Sequence, residues 1–247
     1  MWRLVLPLLL VFSGNAATQT LTLAAASSYR PILEAVVTDF KEANDISVRI
    51  VYGSSGKLAS QIQAGAPFDI YFSANKRFME LLQDKGLVRD VTLDGYGQLA
   101  LWAAAPEATA LSVDSLQHTQ QRIAIAQPRH APYGQAAMQW LQSNDLNLAE
   151  QLVYAENVAQ AAQMVFSGAA KFGLVALSVI PLDARTAKQL VILPAVDNSL
   201  LQHRHGIVSA TSEASVARQF SDYFQQPKFD EIKRQYGLNP DSGSDKR

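Results

Sequence analysis

The sequence predicts an α/β fold, because strand-like and helix-like segments alternate along most of the chain. SVRIVYG at 47–53 is rich in β-branched residues and alternates in polarity, as a strand does. Leu33, Val36 and Phe40 instead follow one another at helical spacing. Of the 247 residues, 48% are hydrophobic and none is a cysteine, so we expect a core that holds without disulfides.

Three strand–helix pairs open the predicted fold. Pro31 suits the first position of a helix, because its missing N–H costs nothing there. Gly86 is typical of the residue that ends a helix. The strands of these pairs are 20–26, 47–53 and 68–74, and the helices that follow them are 31–40, 54–65 and 75–86.

The same alternation continues through the middle and the end of the chain. The apolar segment 98–106 is predicted to be a strand that leaves the first unit, and 95–100 is predicted to be mainly a loop. The other predicted strands are 122–128, 172–178, 189–195 and 205–210, and the other helices are 134–144, 157–168, 212–226 and 229–237.

The N-terminus is typical of a secretory signal peptide over residues 1–16. A basic start, MWR, precedes the apolar run LVLPLLLVF, which is too short to span a bilayer, and small residues then lead to a cut after Ala16. A short membrane anchor is the alternative. The lack of cysteine excludes a lipid-modified N-terminal cysteine, so we expect a soluble periplasmic protein, with secretion to the medium left open.

Several classes of function are disfavoured by composition and motifs. A net charge of −1 provides no basic field for nucleic acid. The chain lacks H-E-x-x-H, G-x-S-x-G and P-loop signatures, so we expect neither an enzyme nor a cofactor. His203 and His205 are two residues apart on a predicted strand, which is only a weak indication of a metal site. Gly95–Ala100 formally matches G-x-G-x-x-A but precedes a strand rather than opening a helix.

Four segments place short polar residues or free backbone N–H groups where a helix is predicted to begin. Helix N-termini carry unpaired N–H groups and partial positive charge, so several aimed at one point bind an anion. Any one of them alone indicates ordinary capping. Together they predict an anion site, because strand-to-helix turns share one edge of an α/β sheet. The segments are 26–31, 53–58, 129–135 and 155–160.

The chain resembles the periplasmic molybdate-binding protein family, ModA, whose members are receptors of ABC importers. The most specific similarity is YGSSGKLASQIQAGAPFDIYFSA at 52–74, after LAAASS at 23–28. QPRHAPYGQAA, ENVAQAAQMV and FGLVALS follow in the family's order, so the resemblance covers about all of the chain after the leader.

This resemblance implies a two-lobe periplasmic-binding-protein type II fold, with the ligand cleft between the lobes. The chain would cross between lobes near 98–104 and 203–209. It implies lobe one over 18–101 and 204–240 and lobe two over 102–203. The polar C-terminal residues 241–247 are predicted, from their own composition, to be a disordered tail.

The resemblance also implies a ligand set made of neutral hydrogen-bond donors. It implies hydroxyl ligands at Ser27 and Ser55 and backbone N–H donors at Tyr133 and Val158, while Ser28 would add a backbone N–H. Some members bind the oxyanion with a tyrosine hydroxyl where this chain has Ala176, so Tyr133 or Ser28 is a candidate for an extra hydroxyl donor.

The expected function is a monomeric receptor that binds molybdate and tungstate and delivers them to a membrane permease. Such a donor set accepts fully deprotonated dianions, whereas phosphate keeps a proton that needs an acceptor. Three alternatives stay open: a receptor for another oxyanion such as sulfate, the sensing domain of a regulator, and an ester hydrolase that pairs Ser27 or Ser55 with His130.

Overall fold

The computed structural model describes residues 19–106, 110–117 and 119–240. The predicted signal peptide over 1–16 and the predicted tail over 241–247 lie outside the described residues. Across the described residues, no helix is both long enough and apolar enough to cross a membrane.

Strands and helices alternate as predicted, which gives an α/β fold. In the described part of the chain the strands are β1 (Thr20–Ala26), β2 (Ser47–Gly53), β3 (Ile70–Ser73), β4 (Val88–Tyr96), β5 (Leu99–Trp102), β6 (Ile123–Ala126), β7 (Leu152–Ala155), β8 (Phe172–Ala176), β9 (Leu190–Ile192) and β10 (Gln202–Val208). The α-helices are α1 (Arg30–Ala43), α2 (Ser55–Gln63), α3 (Lys76–Asp84), α4 (Asp114–Gln117), α5 (Pro132–Ser143), α6 (Val158–Phe166), α7 (Ala214–Phe224) and α8 (Asp230–Gln235). Short 3₁₀ turns cover Ser27–Tyr29, Leu177–Val179, Leu182–Ala184, Asn198–Leu201 and Pro227–Phe229.

The strands form two five-stranded sheets of the same design. The first sheet has the order β2-β1-β3-β10-β4, and the second has the order β7-β6-β8-β5-β9. In each sheet the first three strands are parallel, and the fourth runs antiparallel to both of its neighbours. The chain passes from the first sheet to the second between Tyr96 and Leu99 and returns between Ile192 and Gln202. The lobe boundaries given above stay a prediction.

Strand register brings the four polar turns to matching edges of the two sheets. Ala26 at the end of β1 pairs with Gly53 at the end of β2, so the turns that follow start side by side. Ala126 at the end of β6 pairs with Ala155 at the end of β7 in the same way. Each sheet therefore presents two adjacent helix starts at its carboxyl edge, where ligands bind in such folds.

Two strands were missed by the sequence prediction, and both lie at sheet edges. β4 pairs only with β10, and β7 pairs only with β6. Tyr154 in β7 is half exposed, and most of β4 is partly exposed, because an edge strand is less covered than a central one. The predicted loop over 95–100 is wrong at both ends, since Gly95 and Tyr96 belong to β4 and β5 begins at Leu99.

Helix α1 packs onto the first sheet as its spacing predicts. Its apolar stripe, Ile32, Leu33, Val36, Val37 and Phe40, is buried, and all five residues join one core cluster with residues of both sheets. Burying side chains of this size contributes about 1.5–3 kcal/mol each relative to leaving them exposed. The start of α1 is thereby held against the sheet edge, next to the turn that carries Ser27.

Candidate functional site

The four polar turns surround one small cavity between the two sheets. Its volume is about 10 Å³, close to what the centre of a single water molecule needs. Ser27, Ser28, Ser55, Tyr133 and Val158 all line it, so the structure brings the five predicted residues together. The other lining residues are Ala26, Gly53, Ser54, Ala74, Ala131 and Pro132.

The first sheet contributes two hydroxyls whose own protons remain available. Ser27 Oγ accepts a hydrogen bond from the backbone N–H of Ala159, at 3.3 Å. Ser55 Oγ accepts one from the N–H of Ala74, at 3.1 Å, and Ser55 is fully buried. A hydroxyl has one proton and two lone pairs, so accepting from an N–H leaves that proton free to donate elsewhere. Both hydroxyls therefore suit an acceptor in the cavity.

The second sheet contributes the starts of α5 and α6. Tyr133 and Val158 lie in the first turns of these helices, where backbone N–H groups lack partners within the helix. In α6 the next two N–H groups are occupied, that of Ala159 by Ser27 Oγ and that of Gln160 by Asn157 Oδ1. The N–H of Val158 is thus the group at this helix start that suits a ligand in the cavity.

Gly134 allows α5 to begin this close to the end of β6. A Cβ at Gly134 would lie 2.1 Å from the carbonyl oxygen of Ala126, which is far inside van der Waals contact. The glycine lets the first turn of α5 settle against the strand end, and that turn carries Tyr133 to the cavity.

Beside the cavity, direct contacts join the turns that follow strands of the first sheet to those that follow strands of the second. The N–H of Gly56 donates to the carbonyl oxygen of His130, at 2.9 Å. Ser54 Oγ lies 2.8 Å from Nδ1 of His130, and Lys57 forms an ion pair with Glu156. These contacts hold the turn at the start of α2 against the turns that precede α5 and α6.

The hydrolase alternative is not supported by the position of His130. This alternative needs His130 to pair with Ser27 or Ser55, whereas in the structure its ring is hydrogen-bonded to Ser54. Ser54 supplies the hydroxyl that reaches His130, whereas the hydroxyls of Ser27 and Ser55 accept hydrogen bonds from backbone N–H groups. Burial lowers the pKa of His130 below its ordinary value.

Ser28 has a partner that sequence reasoning did not find. Its Oγ lies 3.1 Å from Nε2 of His203, whose Nδ1 lies 2.9 Å from the carbonyl oxygen of Leu201. Burial lowers the pKa of His203 to about 4. The sequence offered His203 only as a weak metal ligand, and no local pattern indicates a contact with a serine 175 positions away.

The side chain of Tyr133 packs where the chain crosses between the sheets. A Cβ at Gly97 would lie 2.1 Å from the Tyr133 hydroxyl oxygen and 2.5 Å from Cε1 of His203. Glycine at position 97 makes room for both rings. Ala176, at the end of β8, is fully buried and offers no hydroxyl.

A third serine–histidine pair lies in the core, away from the cavity. His205 Nε2 is 2.7 Å from Ser221 Oγ, and its Nδ1 is 2.6 Å from Asp94. This Ser–His–Asp chain has the order of a catalytic triad, but His205 is 0% exposed and Ser221 is 7% exposed, so a substrate cannot reach it. The hydroxyl of Tyr29 also donates to Asp94, at 2.6 Å, and the network ties α7 and the Ser27–Tyr29 turn to the first sheet.

The weak metal-site hypothesis for His203 and His205 finds no support in the described ranges. In 19–106, 110–117 and 119–240, no group of three or more histidine, cysteine, aspartate or glutamate residues is placed to hold a metal ion. The two histidines instead have separate partners, Ser28 for His203 and Asp94 with Ser221 for His205.

Comparisons with known proteins match nearly the whole described chain. The profile of the family described as "Bacterial extracellular solute-binding protein" matches residues 21–239. The molybdate-binding protein ModA of Azotobacter vinelandii is 30% identical over 248 residues, which cover 95% of this chain and 96% of that protein. The protein of the same name from Escherichia coli K12 is 28% identical, with 92% of each chain covered.

Solved structures agree with this similarity. The periplasmic molybdate-binding protein of Azotobacter vinelandii has a TM-score of 0.82 at 31% identity, over 88% of this chain and 98% of that one. The sulfate-binding protein SubI of Mycobacterium tuberculosis has a TM-score of 0.75 at 15% identity, which shows a shared fold alone. The two-sheet arrangement is therefore that of periplasmic binding proteins, as predicted. By sequence and structure, the chain belongs to the bacterial extracellular solute-binding protein family and, within it, to the ModA family.

Proposed function

We propose that the protein is a periplasmic receptor that binds molybdate or tungstate in this cavity and delivers it to an ABC importer. One observation carries the proposal: neutral donors from both sheets converge on the cavity, and no residue that lines it is acidic or basic. The similarity to two proteins named for molybdate binding supports the choice of ligand.

The proposed binding mode replaces the water shell of a dianion with hydrogen bonds. Ser27 and Ser55 would donate through their hydroxyls, and Tyr133 and Val158 through backbone N–H groups. Hydrogen bonds to a charged oxygen are shorter and about twice as strong as neutral ones, so a few of them offset the cost of burying the anion. The N-terminal ends of α5 and α6 add partial positive charge without a competing side chain.

Anion choice follows from the same donor set. Phosphate keeps a proton at neutral pH, and the four donors of the proposed binding mode offer it no acceptor, so a proton that faces them stays unpaired at a cost of about 1–3 kcal/mol. Sulfate carries no proton but is smaller than molybdate, so its oxygens would not reach every donor at once. We therefore propose the order molybdate and tungstate first, then sulfate, then phosphate.

The wider role rests on the same proposal. We propose export through the signal peptide over residues 1–16, action as a monomer, and transfer of the bound anion to a membrane permease rather than chemical conversion. The oxyanion itself would be the cargo, and no resident cofactor or metal is part of the proposed site.

Calorimetric titration of the protein from residue 17 onward tests the proposal. Molybdate, tungstate, sulfate and phosphate are added separately, to the wild type and to Ser27→Ala, with Ser143→Ala as the control because that hydroxyl is exposed on α5. We expect one-to-one binding of molybdate and tungstate, weakened only in Ser27→Ala.

Two results would overturn the proposal. Equal affinity for sulfate and molybdate would show that the site binds tetrahedral oxyanions in general rather than molybdate and tungstate selectively. No binding of any of the four anions would refute the receptor function, and turnover of a generic ester by the same sample would then favour the hydrolase alternative.

A further inference from the structure

His203 connects the cavity to the two points where the chain crosses between the sheets. It lies on β10, is almost fully buried, and touches Ser28 through Nε2. Its Cε1 lies next to Gly97 at the first crossing, and its ring is 5.9 Å from that of Tyr133. The proposed binding mode does not use this histidine, although it contacts two residues that line the cavity.

The hydrogen bonds of the ring define which nitrogen carries the proton. The carbonyl oxygen of Leu201 can only accept, so Nδ1 of His203, at 2.9 Å, must be the protonated nitrogen. In the neutral ring Nε2 is then an acceptor, and the hydroxyl of Ser28, at 3.1 Å, donates to it.

This arrangement sets Ser28 apart from the other two serines of the proposed site. The hydroxyls of Ser27 and Ser55 accept from N–H groups and keep their protons free, whereas the proton of Ser28 is already given to His203. Ser28 therefore offers oxygen lone pairs to the cavity, and lone pairs repel an anion that has no proton to share. A dianion in the cavity therefore favours reorientation of the Ser28 hydroxyl, so that its proton points to the anion instead of to His203.

We propose that His203 is a positioning residue that takes up a proton when a dianion binds: the ring, protonated from solvent, donates through Nε2 to Ser28 Oγ, and the proton of Ser28 then points to the anion. One proton enters from solvent, and no covalent bond between heavy atoms forms or breaks. This inference rests on the proposed function, because it needs an anion in the cavity.

The groups around His203 are compatible with a proton taken up only on binding. Tyr29 packs edge-on at 4.9 Å and Tyr133 at 5.9 Å, and burial raises the pKa of both, so both stay neutral. Asp94 is the carboxylate that favours the charged ring, yet its oxygens are engaged by Tyr29 and His205. Burial therefore dominates and lowers the pKa of free His203 to about 4, and a dianion nearby raises it.

The test measures protons taken up on molybdate binding. Titrations at pH 5.5 to 7.5, each in two buffers of different ionisation enthalpy, give the number of protons bound per anion. We expect uptake that grows as the pH falls, with the affinity rising by up to about tenfold per pH unit in the range between the free and bound pKa values of His203.

Two variants separate His203 from the other histidine beside the cavity. His203→Gln keeps an amide that can bond to Ser28 in either direction but cannot titrate, so we expect binding without proton uptake and a flat pH profile. His130→Gln is the matched control, since His130 also contacts a serine that lines the cavity, and we expect it to retain the uptake.

The outcomes distinguish this inference from the proposed function. If molybdate binds without proton uptake in the wild type, or if the uptake persists in His203→Gln, the inference is wrong and the receptor function stands. If molybdate does not bind at all, the proposed function itself fails. Should His203→Gln not fold, nitrogen NMR of the wild-type His203 ring decides: protonation of Nε2 only with molybdate supports the inference, and its absence refutes it.

Discussion

The two halves of the cavity are built from different chemical groups. The half that belongs to the first sheet presents side-chain hydroxyls, at Ser27, Ser28 and Ser55. The half that belongs to the second sheet presents helix starts, at Tyr133 and Val158, whose polar contribution is the backbone N–H. The first half therefore depends on which residues occupy it, and the second depends on where its helices begin. Substitutions should affect the two halves unequally.

The largest effect is expected in the first-sheet half, from Ser55→Ala. The substitution removes a proposed charge-assisted donor and also the acceptor of the Ala74 N–H. Such a hydrogen bond contributes about 1.5–3 kcal/mol, so molybdate affinity should fall by roughly 10- to 150-fold in calorimetry. Ser60→Ala, in the same helix but bonded to the Gly56 carbonyl, is the control. An affinity within threefold of wild type would show that Ser55 is not a ligand.

A somewhat smaller effect is expected where the halves meet, from Gly56→Ala. Its new Cβ would lie 2.9 Å from the His130 carbonyl oxygen and 2.8 Å from Cζ of Phe78. Overpacking of this kind costs about 1–3 kcal/mol, and we expect roughly tenfold weaker binding, because the two halves must separate slightly. Calorimetry measures the change in molybdate affinity, and small-angle scattering with saturating molybdate measures the radius of gyration, which should increase if the halves separate. Unchanged affinity and an unchanged radius of gyration would contradict it.

A weak effect is expected from the ion pair between the halves. The side chains of Lys57 and Glu156 are 51% and 40% exposed, and exposed pairs contribute about 0.2–1 kcal/mol. Lys57→Gln should therefore lower affinity by less than about fivefold, and the difference should vanish in high salt. The swapped double variant Lys57→Glu with Glu156→Lys should recover wild-type affinity at low salt. A loss that high salt leaves intact would point to a direct role of Lys57 in binding.

The smallest effect is expected in the second-sheet half, from Tyr133→Phe. The substitution keeps the backbone N–H and removes only the hydroxyl, which packs against Gly97 and His203. We expect molybdate affinity within about twofold of wild type, a change of less than half a kcal/mol. A tenfold loss would instead mean that the Tyr133 hydroxyl replaces the family tyrosine absent at Ala176, and the contrast between the halves would no longer hold.

Much of the fold follows from local sequence features. The spacing of Leu33, Val36 and Phe40 predicts the buried face of α1, and the β-branched run at 47–53 matches β2 residue for residue. β4 and β7 were not predicted, whereas β2, which is also an edge strand, was. In β4 the charged residues Arg89, Asp90 and Asp94 interrupt the apolar pattern and the pairing with β10 shifts register, and β7 has only four residues, so periodicity does not mark either segment as a strand.

The convergence of the five predicted site residues also has a local basis. Each lies at a strand-to-helix turn, and turns at the carboxyl edge of a sheet meet wherever parallel strands are adjacent. Ala26 pairs with Gly53, and Ala126 pairs with Ala155, so the two turns of each sheet start side by side. The assignment of these residues to molybdate stays a prediction that the Ser27→Ala and Ser55→Ala variants test.

The sequence by itself determined the α/β class, the turns that carry the candidate ligands and the neutral character of their side chains, because each of these depends on residues close together in the chain. Only the tertiary structure decided which histidine meets which serine. His203 reaches Ser28 across 175 positions, and His130 reaches Ser54 across 76. His203 lies on β10, which β3 separates from β1, and the turns that carry His130 and Ser54 follow strands of different sheets, so no local pattern in the chain encodes either contact.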